Sequence, residues 1–192
     1  MKYILIIITI LSFYSCQKDS SQKDKKSKET IKKNIVVKKD LRTLITEENF
    51  KGNKYTFNNL SIIIPNTFKK KNEALFFEEN GTNLSFAKDK LNTSVHDYIE
   101  RNFDILKNDF FNIIKEEEKV LINEKIVRYV KYIIDRKKFF IQIESILINY
   151  EGEIYIVTIS GKKKHINVLS KTINNMFSTI KLNKEKENIV DQ

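Results

Sequence analysis

Cysteine, proline and glycine are scarce in this 192-residue chain. A single Cys excludes an intramolecular disulfide and any cysteine-cluster zinc site. One Pro and four Gly exclude collagen-like and Pro/Gly-rich low-complexity chains. With only two histidines, His96 and His165, a zinc site would need carboxylate ligands as well, so no metal and no cofactor are expected. Gly-x-Ser-x-Gly, His-Glu-x-x-His, Walker and EF-hand patterns are absent, and so is the strand–helix–strand alternation of a dinucleotide fold. Apolar material is plentiful: 41% hydrophobic and 11% aromatic residues are enough to fill a core, which excludes wholesale disorder.

The formal net charge is +10, and such a balance invites a nucleic-acid reading. Its distribution argues otherwise. Residues 17 to 39 hold nine Lys against Asp19, Asp24 and Glu29, a net of +6. Lys2 adds one, leaving only +3 on residues 40 to 192. A nucleic-acid-binding domain should carry a basic stripe on its folded part, so no nucleic-acid partner is expected.

The N-terminus reads as an address. Lys2 precedes an apolar run from Tyr3 to Tyr14, whose twelve residues rise only about 18 Å as a helix against a hydrocarbon core of roughly 30 Å. This suits the apolar region of a secretory signal. Ser15 and Cys16 follow, and then polarity changes abruptly. The arrangement resembles the lipobox of bacterial lipoproteins of Bacteroidetes-like type, although Phe13 and Tyr14 depart from its stricter form. The resemblance implies cleavage before Cys16, lipid attachment there, and anchoring to the outer membrane through palmitate-like chains. Gln17-Lys18-Asp19-Ser20 is similar to the short signals that send some such lipoproteins to the cell surface; the periplasmic and surface faces both stay open. The expected organisation is a signal peptide at 1–15, a lipidated Cys and disordered basic tether at 16–40, a folded domain at 41–182 and a polar tail at 183–192. A 24-residue coil at 17–40 reaches roughly 25–30 Å.

Within the domain, Tyr55–Phe57 and Leu60–Ile64 read as a hairpin turning at Asn58-Asn59, and Ala74–Glu79 with Thr82–Lys88 as a second one turning at Asn80-Gly81. Ser94 and Asp97 have capping-box spacing ahead of a stripe of Val95, Ile99, Phe103, Leu106 and Phe110, which predicts a helix. Strands are predicted at 111–122, 126–135, 139–150 and 154–159, with Gly161 ending the last. A second helix is predicted from Ile166, Leu169, Ile173, Met176 and Phe177, followed by a short edge strand within 177–182. Tight links imply an antiparallel sheet of about six or more strands covered by two main helices, an α+β class.

Candidate chemistry is sparse. Lys162, Lys163, Lys164 and His165 open the second helix and form the best candidate contact for an anion or a partner, against the simpler reading of a solvated loop. His96 beside Asp97 could be a base oriented by a carboxylate, but adjacent helical residues do not face each other. Glu116-Glu117-Glu118 read as solvated strand positions paired with basic residues on a neighbouring strand. The pairs Phe76-Phe77, Phe110-Phe111 and Phe139-Phe140 place one ring on each strand face, to fill core layers or line a pocket.

Leu60-Ser-Ile-Ile-Ile-Pro65, the helix opening Ser94-Val-His-Asp-Tyr-Ile99, the strand Glu151 to Ser160 and the helix end Met176-Phe-Ser-Thr-Ile180 resemble the PsbP-like superfamily, which includes DcrB-like envelope lipoproteins. The resemblance spans roughly residues 55 to 182. It implies an α/β/α sandwich and a non-catalytic accessory, assembly or partner-binding role with an envelope protein partner. A small-ligand-binding or immunity-type module is the alternative, and an unrecognised hydrolase the third reading.

Overall fold

The computed structural model describes residues 34–110 and 112–183. Eleven strands and three helices follow one another: β1 (Asn34–Thr43), β2 (Asn53–Phe57), β3 (Leu60–Ile64), β4 (Lys69–Asn72), β5 (Leu75–Phe77), β6 (Asn83–Lys90), α1 (Val95–Asp109), β7 (Ile113–Ile122), β8 (Lys125–Asp135), β9 (Phe140–Tyr150), β10 (Glu153–Lys162), α2 (Lys163–Val168), α3 (Ser170–Ser178) and β11 (Lys181–Leu182), counted among the described residues. None of these helices is long and apolar enough to cross a membrane.

Eight strands form one sheet in the order β1-β7-β8-β9-β10-β6-β5-β4, and β11-β3-β2 form a second. The class is α+β as expected, but the large sheet is mixed. β1 runs parallel to β7, from Asn34 opposite Ile113 to Thr43 opposite Leu121. β1 also begins inside the 16–40 stretch read as tether, so regular structure starts before residue 41. This pairing is made by the backbone, between segments far apart in sequence, and composition carries no record of it.

The hairpins of the large sheet close at turns that need positive φ. Asn123 and Glu124 (45° and 65°) join β7 to β8, and Glu151 and Gly152 (52° and 75°) join β9 to β10. β10 runs past Gly161 to Lys162. At Gly161 the absence of a side chain admits Thr82, whose Cα would lie 3.3 Å from an added Cβ.

The covering of the sheet corrects the expectation of two main helices. On one face α1 lies alone, burying Ile99, Phe103 and Leu106 against Ile113, Tyr132 and Ile143. Its start is fixed as the sequence predicts: Ser94 Oγ accepts the Asp97 amide at 3.0 Å. The other face is covered jointly by the three-stranded sheet, α2 and α3, with Leu60, Ile62, Phe177, Tyr155 and Ile159 in one core. The predicted second helix is broken in two at Leu169, whose φ and ψ of −88° and 1° leave the helical range. Each large apolar side chain so buried contributes roughly 1.5–3 kcal/mol before its entropy cost, and these two layers hold the sheet between them.

Candidate functional site

Alternation along β7 sends Lys115 and Glu117 toward α1 and Glu116 and Glu118 toward the opposite face. The first pair meets two side chains one turn apart on α1, His96 and Glu100, and a third group, Arg128, from β8. Lys115 is fully buried; its ammonium donates to Glu100 Oε1 and lies 3.4 Å from Glu117 Oε2. Arg128 Nη1 and His96 Nδ1 each stand 3.5 Å from Glu117 Oε1, and His96 Nδ1 is 3.8 Å from Glu100. The Lys115 ammonium also lies 5.1 Å from the centre of the Phe103 ring. Tyr132 stands nearby, and burial, then the charges of Glu117 and Glu100, push its phenol well above the ordinary range, so it stays protonated.

His96, Glu100 and Glu117 bring ligand atoms within 4.8 Å of one another, a spacing compatible with a metal ion. The donor set does not favour one, because the Lys115 ammonium already bridges both carboxylates and would oppose a second cation. Two carboxylates face a lysine and an arginine, with the His96 imidazole at the edge. Chemically this is a charge-compensated clamp between helix and sheet.

The three glutamates correct one expectation and support another. Glu117 and Glu118 are buried rather than solvated, because both faces of β7 are covered. All three are paired with basic residues: Glu116 with Lys131 at 3.1 Å, Glu117 with Arg128, and Glu118 with Arg42 at 2.6 Å. Only the i,i+4 spacing of His96 and Glu100 was legible as part of this cluster. Asp97 stays outside the cluster and serves the helix start instead. The hydroxyls of Ser94 and Thr93 donate to it at 2.7 and 2.8 Å and hold its carboxyl below the usual carboxylate range.

Of the four residues at the start of α2, two lie against aromatic rings. The ammonium groups of Lys162 and Lys163 stand 5.4 and 5.7 Å from the ring centres of Phe139 and Phe140. Lys164 is exposed, and His165 Nδ1 is buried without a hydrogen-bond partner among the described residues. The six-residue α2 is also too short to develop much of a helix dipole. Cys16 lies outside the described residues.

Strand alternation accounts for the split of Phe76 and Phe77 in β5, whereas Phe110 caps the end of α1 and Phe139 precedes β9. Phe76 and Phe110 enter the two cores, while Phe77 and Phe140 are 39% and 50% exposed; Phe111 lies outside the described residues. Phe77 belongs to an open groove of about 450 Å³ at the β4–β6 edge, lined also by Lys71, Leu75, Glu78, Glu79 and Asn83. Register places its floor on the α1 side of the sheet. Leu75 is opposite Ser85 and Ser85 opposite Thr158, two residues after Ile156, which packs in the α1 core.

Comparison with solved structures places the fold. A protein of unknown function from Pseudomonas aeruginosa is similar over 71% of this chain and 100% of its own, with 10% identity and a TM-score of 0.50. The solution structure of a cyanobacterial PsbP from Synechocystis sp. PCC 6803 is similar over 68% of this chain and 91% of its own, at 11% identity and a TM-score of 0.49. LpqN, involved in cell envelope biogenesis of Mycobacterium tuberculosis, is similar over 71% and 88%, at 7% identity and a TM-score of 0.48. The fold is shared with the Pseudomonas aeruginosa protein. No protein-family model matches the sequence, and a search of curated proteins finds no match. At these identities the likeness concerns the fold alone.

Proposed function

We propose that this chain is a non-catalytic accessory domain of the cell envelope, lipid-anchored to the outer membrane through Cys16 and engaged with a protein partner. The observation that carries this reading is the division of labour between its charged and its open regions. In the titratable cluster under α1, Lys115 and Glu117 are buried and ion-paired with each other and with Glu100 and Arg128, while His96 and Glu100 reach solvent at its edge. The open groove has an apolar floor of Leu75 and Phe77 and a mixed-charge rim of Lys71, Glu78 and Glu79. It lies beside β4, an exposed edge strand with three consecutive lysines. An apolar floor with a polar rim next to a free sheet edge suits an extended segment of another protein, which could add to the edge and place a side chain over Phe77.

In this reading the segment between Cys16 and the start of β1 at Asn34 keeps the domain close to the membrane that holds it.

Affinity capture from detergent-solubilised envelopes tests the reading. The lipidated wild-type chain is expected to retain a specific protein that the Phe77→Glu variant loses. Palmitate labelling and outer-membrane fractionation are expected to vanish in Cys16→Ala. Equal capture by both forms would remove the groove from the proposal, and unchanged labelling would remove the anchor.

A further inference from the structure

The space between the two sheets does not close at the β7–β8 turn. Ile122, Val127 and Ile148 of the large sheet face Ile180 and Leu182 there across a cleft of about 190 Å³, with Lys125 also in its lining. Ile122, Val127, Ile148 and Ile180 are only 3–5% exposed, so the cleft reaches into the core between the sheets. Next to it is a second pocket, of about 340 Å³ and opposite character, whose lining includes Thr46, Ser61, Ser178 and Thr179 together with Lys54 and Lys181. Asn123 and Lys181 line both spaces, and among the described residues neither is lined by an Asp or Glu.

The placement of the lysines follows from register. In the three-stranded sheet Lys54 is opposite Ile63 and Lys181 opposite Ser61, so Lys54, Ile63, Ser61 and Lys181 share the face turned away from the core. The hydroxyl floor is held in place by its own bonds: Thr46 and Ser178 lie 2.7 Å apart, and Thr179 Oγ1 accepts the Ile63 amide at 2.9 Å. Asn123 forms the partition, donating to the carbonyls of Ile180 at 2.7 Å and Ser178 at 3.3 Å.

We propose that the two spaces form one binding site for an anionic amphiphile. A carboxylate or phosphate head would lie between Lys54 and Lys181 above the hydroxyls, and a short saturated arm would pass Asn123 into the cleft between the sheets. Lys54 and Lys181, joined by Lys125 in the cleft lining, with no lining carboxylate among the described residues, favour an anion, and the apolar side chains of the cleft favour an arm that would otherwise face water. Neither space alone selects such a ligand; their junction at Lys181 does. The site is separate from the Phe77 groove, and its test does not depend on the proposed partner.

The test uses the full-length chain in lipid nanodiscs, with methyl resonances of Ile122, Val127, Ile148 and Ile180 as reporters. The probes are octanoate, octyl phosphate, octan-1-ol and acetate. Octanoate or octyl phosphate is expected to shift these methyls saturably, and the tighter of the two identifies the head as free acid or phosphate ester. Octan-1-ol and acetate are expected to bind at least about tenfold more weakly, and the double variant Lys54→Gln/Lys181→Gln to weaken the anionic probes about tenfold, as two exposed ionic contacts allow. Both lysines are exposed, so the variant should keep its fold, which the dispersion of its other methyls verifies. Octan-1-ol binding as tightly as octanoate, an unaffected double variant, or the absence of saturable shifts would each overturn the site.

Discussion

The two faces of the large sheet are covered in different ways. On one, a single helix lies across β7–β9, fixed by an apolar stripe and by the buried Lys115–Glu117 pair with Glu100 and Arg128. On the other, a second sheet and two short helices share the work over a larger apolar core. A lone helix on a pleated surface can slide or rotate at small cost in apolar contact; contacts from two successive turns, Glu100 to Lys115 and His96 to Glu117, fix it. A second sheet is held along its strands, but it closes only as far as its edge strand runs. Here that edge, β11, is two residues long, and the cleft opens where it stops. The α1 face therefore carries the buried Lys115–Glu117 pair and, out at the β4–β6 edge, the open groove, while the face under the second sheet carries buried Glu118 and Glu144 and the cleft between the sheets.

Breaking the clamp is the most damaging way to test this contrast. Lys115→Met leaves Glu117 buried beside only a part-exposed Arg128 and a half-exposed His96. Equilibrium urea unfolding is expected to show a loss of about 3 kcal/mol or more, in the range for removing one partner of a buried pair. The double variant Lys115→Met/Glu117→Leu should lose less than the single one, because the stranded charge is gone. Equal losses would show that Lys115 matters through its packing on Phe103 rather than through charge.

The face covered by the second sheet should respond more mildly, and at a defined place. Asn123→Ala removes two hydrogen bonds that tie the β7–β8 turn to the α3–β11 link. A cost of roughly 1–3 kcal/mol is expected for carbonyls left without their donor. Amide exchange should accelerate locally at Ile180–Leu182 and remain slow in α1. Acceleration spread over both faces would mean that the two layers are not independent.

The same contrast separates what was legible in the sequence from what was not. The α1 side was readable because its signals are local: the Ser94/Asp97 cap, the Ile99–Phe103–Leu106 stripe and the strand hairpins all operate within a few residues. The buried clamp was not, since Lys115, Glu117 and Glu100 become neighbours only after α1 folds back on β7, and a run of three glutamates looks the same whether it is solvated or covered. The second sheet was missed for a related reason. The β2–β3 hairpin was recognised, but its separation from the large sheet depends on β11 joining β3 from more than a hundred residues away. The parallel β1 and the Lys-rich edge β4 lack the apolar alternation by which strands are recognised. The lysines at the start of α2 read as a candidate anion or partner contact; that Lys162 and Lys163 lie over the Phe139 and Phe140 rings is a further contact the sequence did not show.

The smallest expected effect concerns acid, and it compares α1 with the sheet beneath it. The Asp97 carboxyl is held low by the Ser94 and Thr93 hydroxyls, and Glu153 on β10 is held low by the Lys88 ammonium at 2.6 Å. Each group has a lower pKa folded than unfolded, so its contribution is complete above the unfolded carboxylate value, near 4, and fades as pH falls through the folded value. Lys88 has the opposite sign: raised by the same Glu153 bond, it contributes fully below the unfolded lysine value and loses that contribution as pH rises through its folded one. All three groups are solvent-facing, so screening keeps these effects small. Urea midpoints measured from pH 3 to 6 should fall less steeply for Asp97→Asn and Glu153→Gln than for the wild type. Added salt should flatten the wild-type curve through the exposed Glu153–Lys88 pair more than through the hydroxyl-bonded Asp97. If salt erases the Asp97 contribution to the same degree, that residue acts at the start of α1 as a charge rather than as a cap.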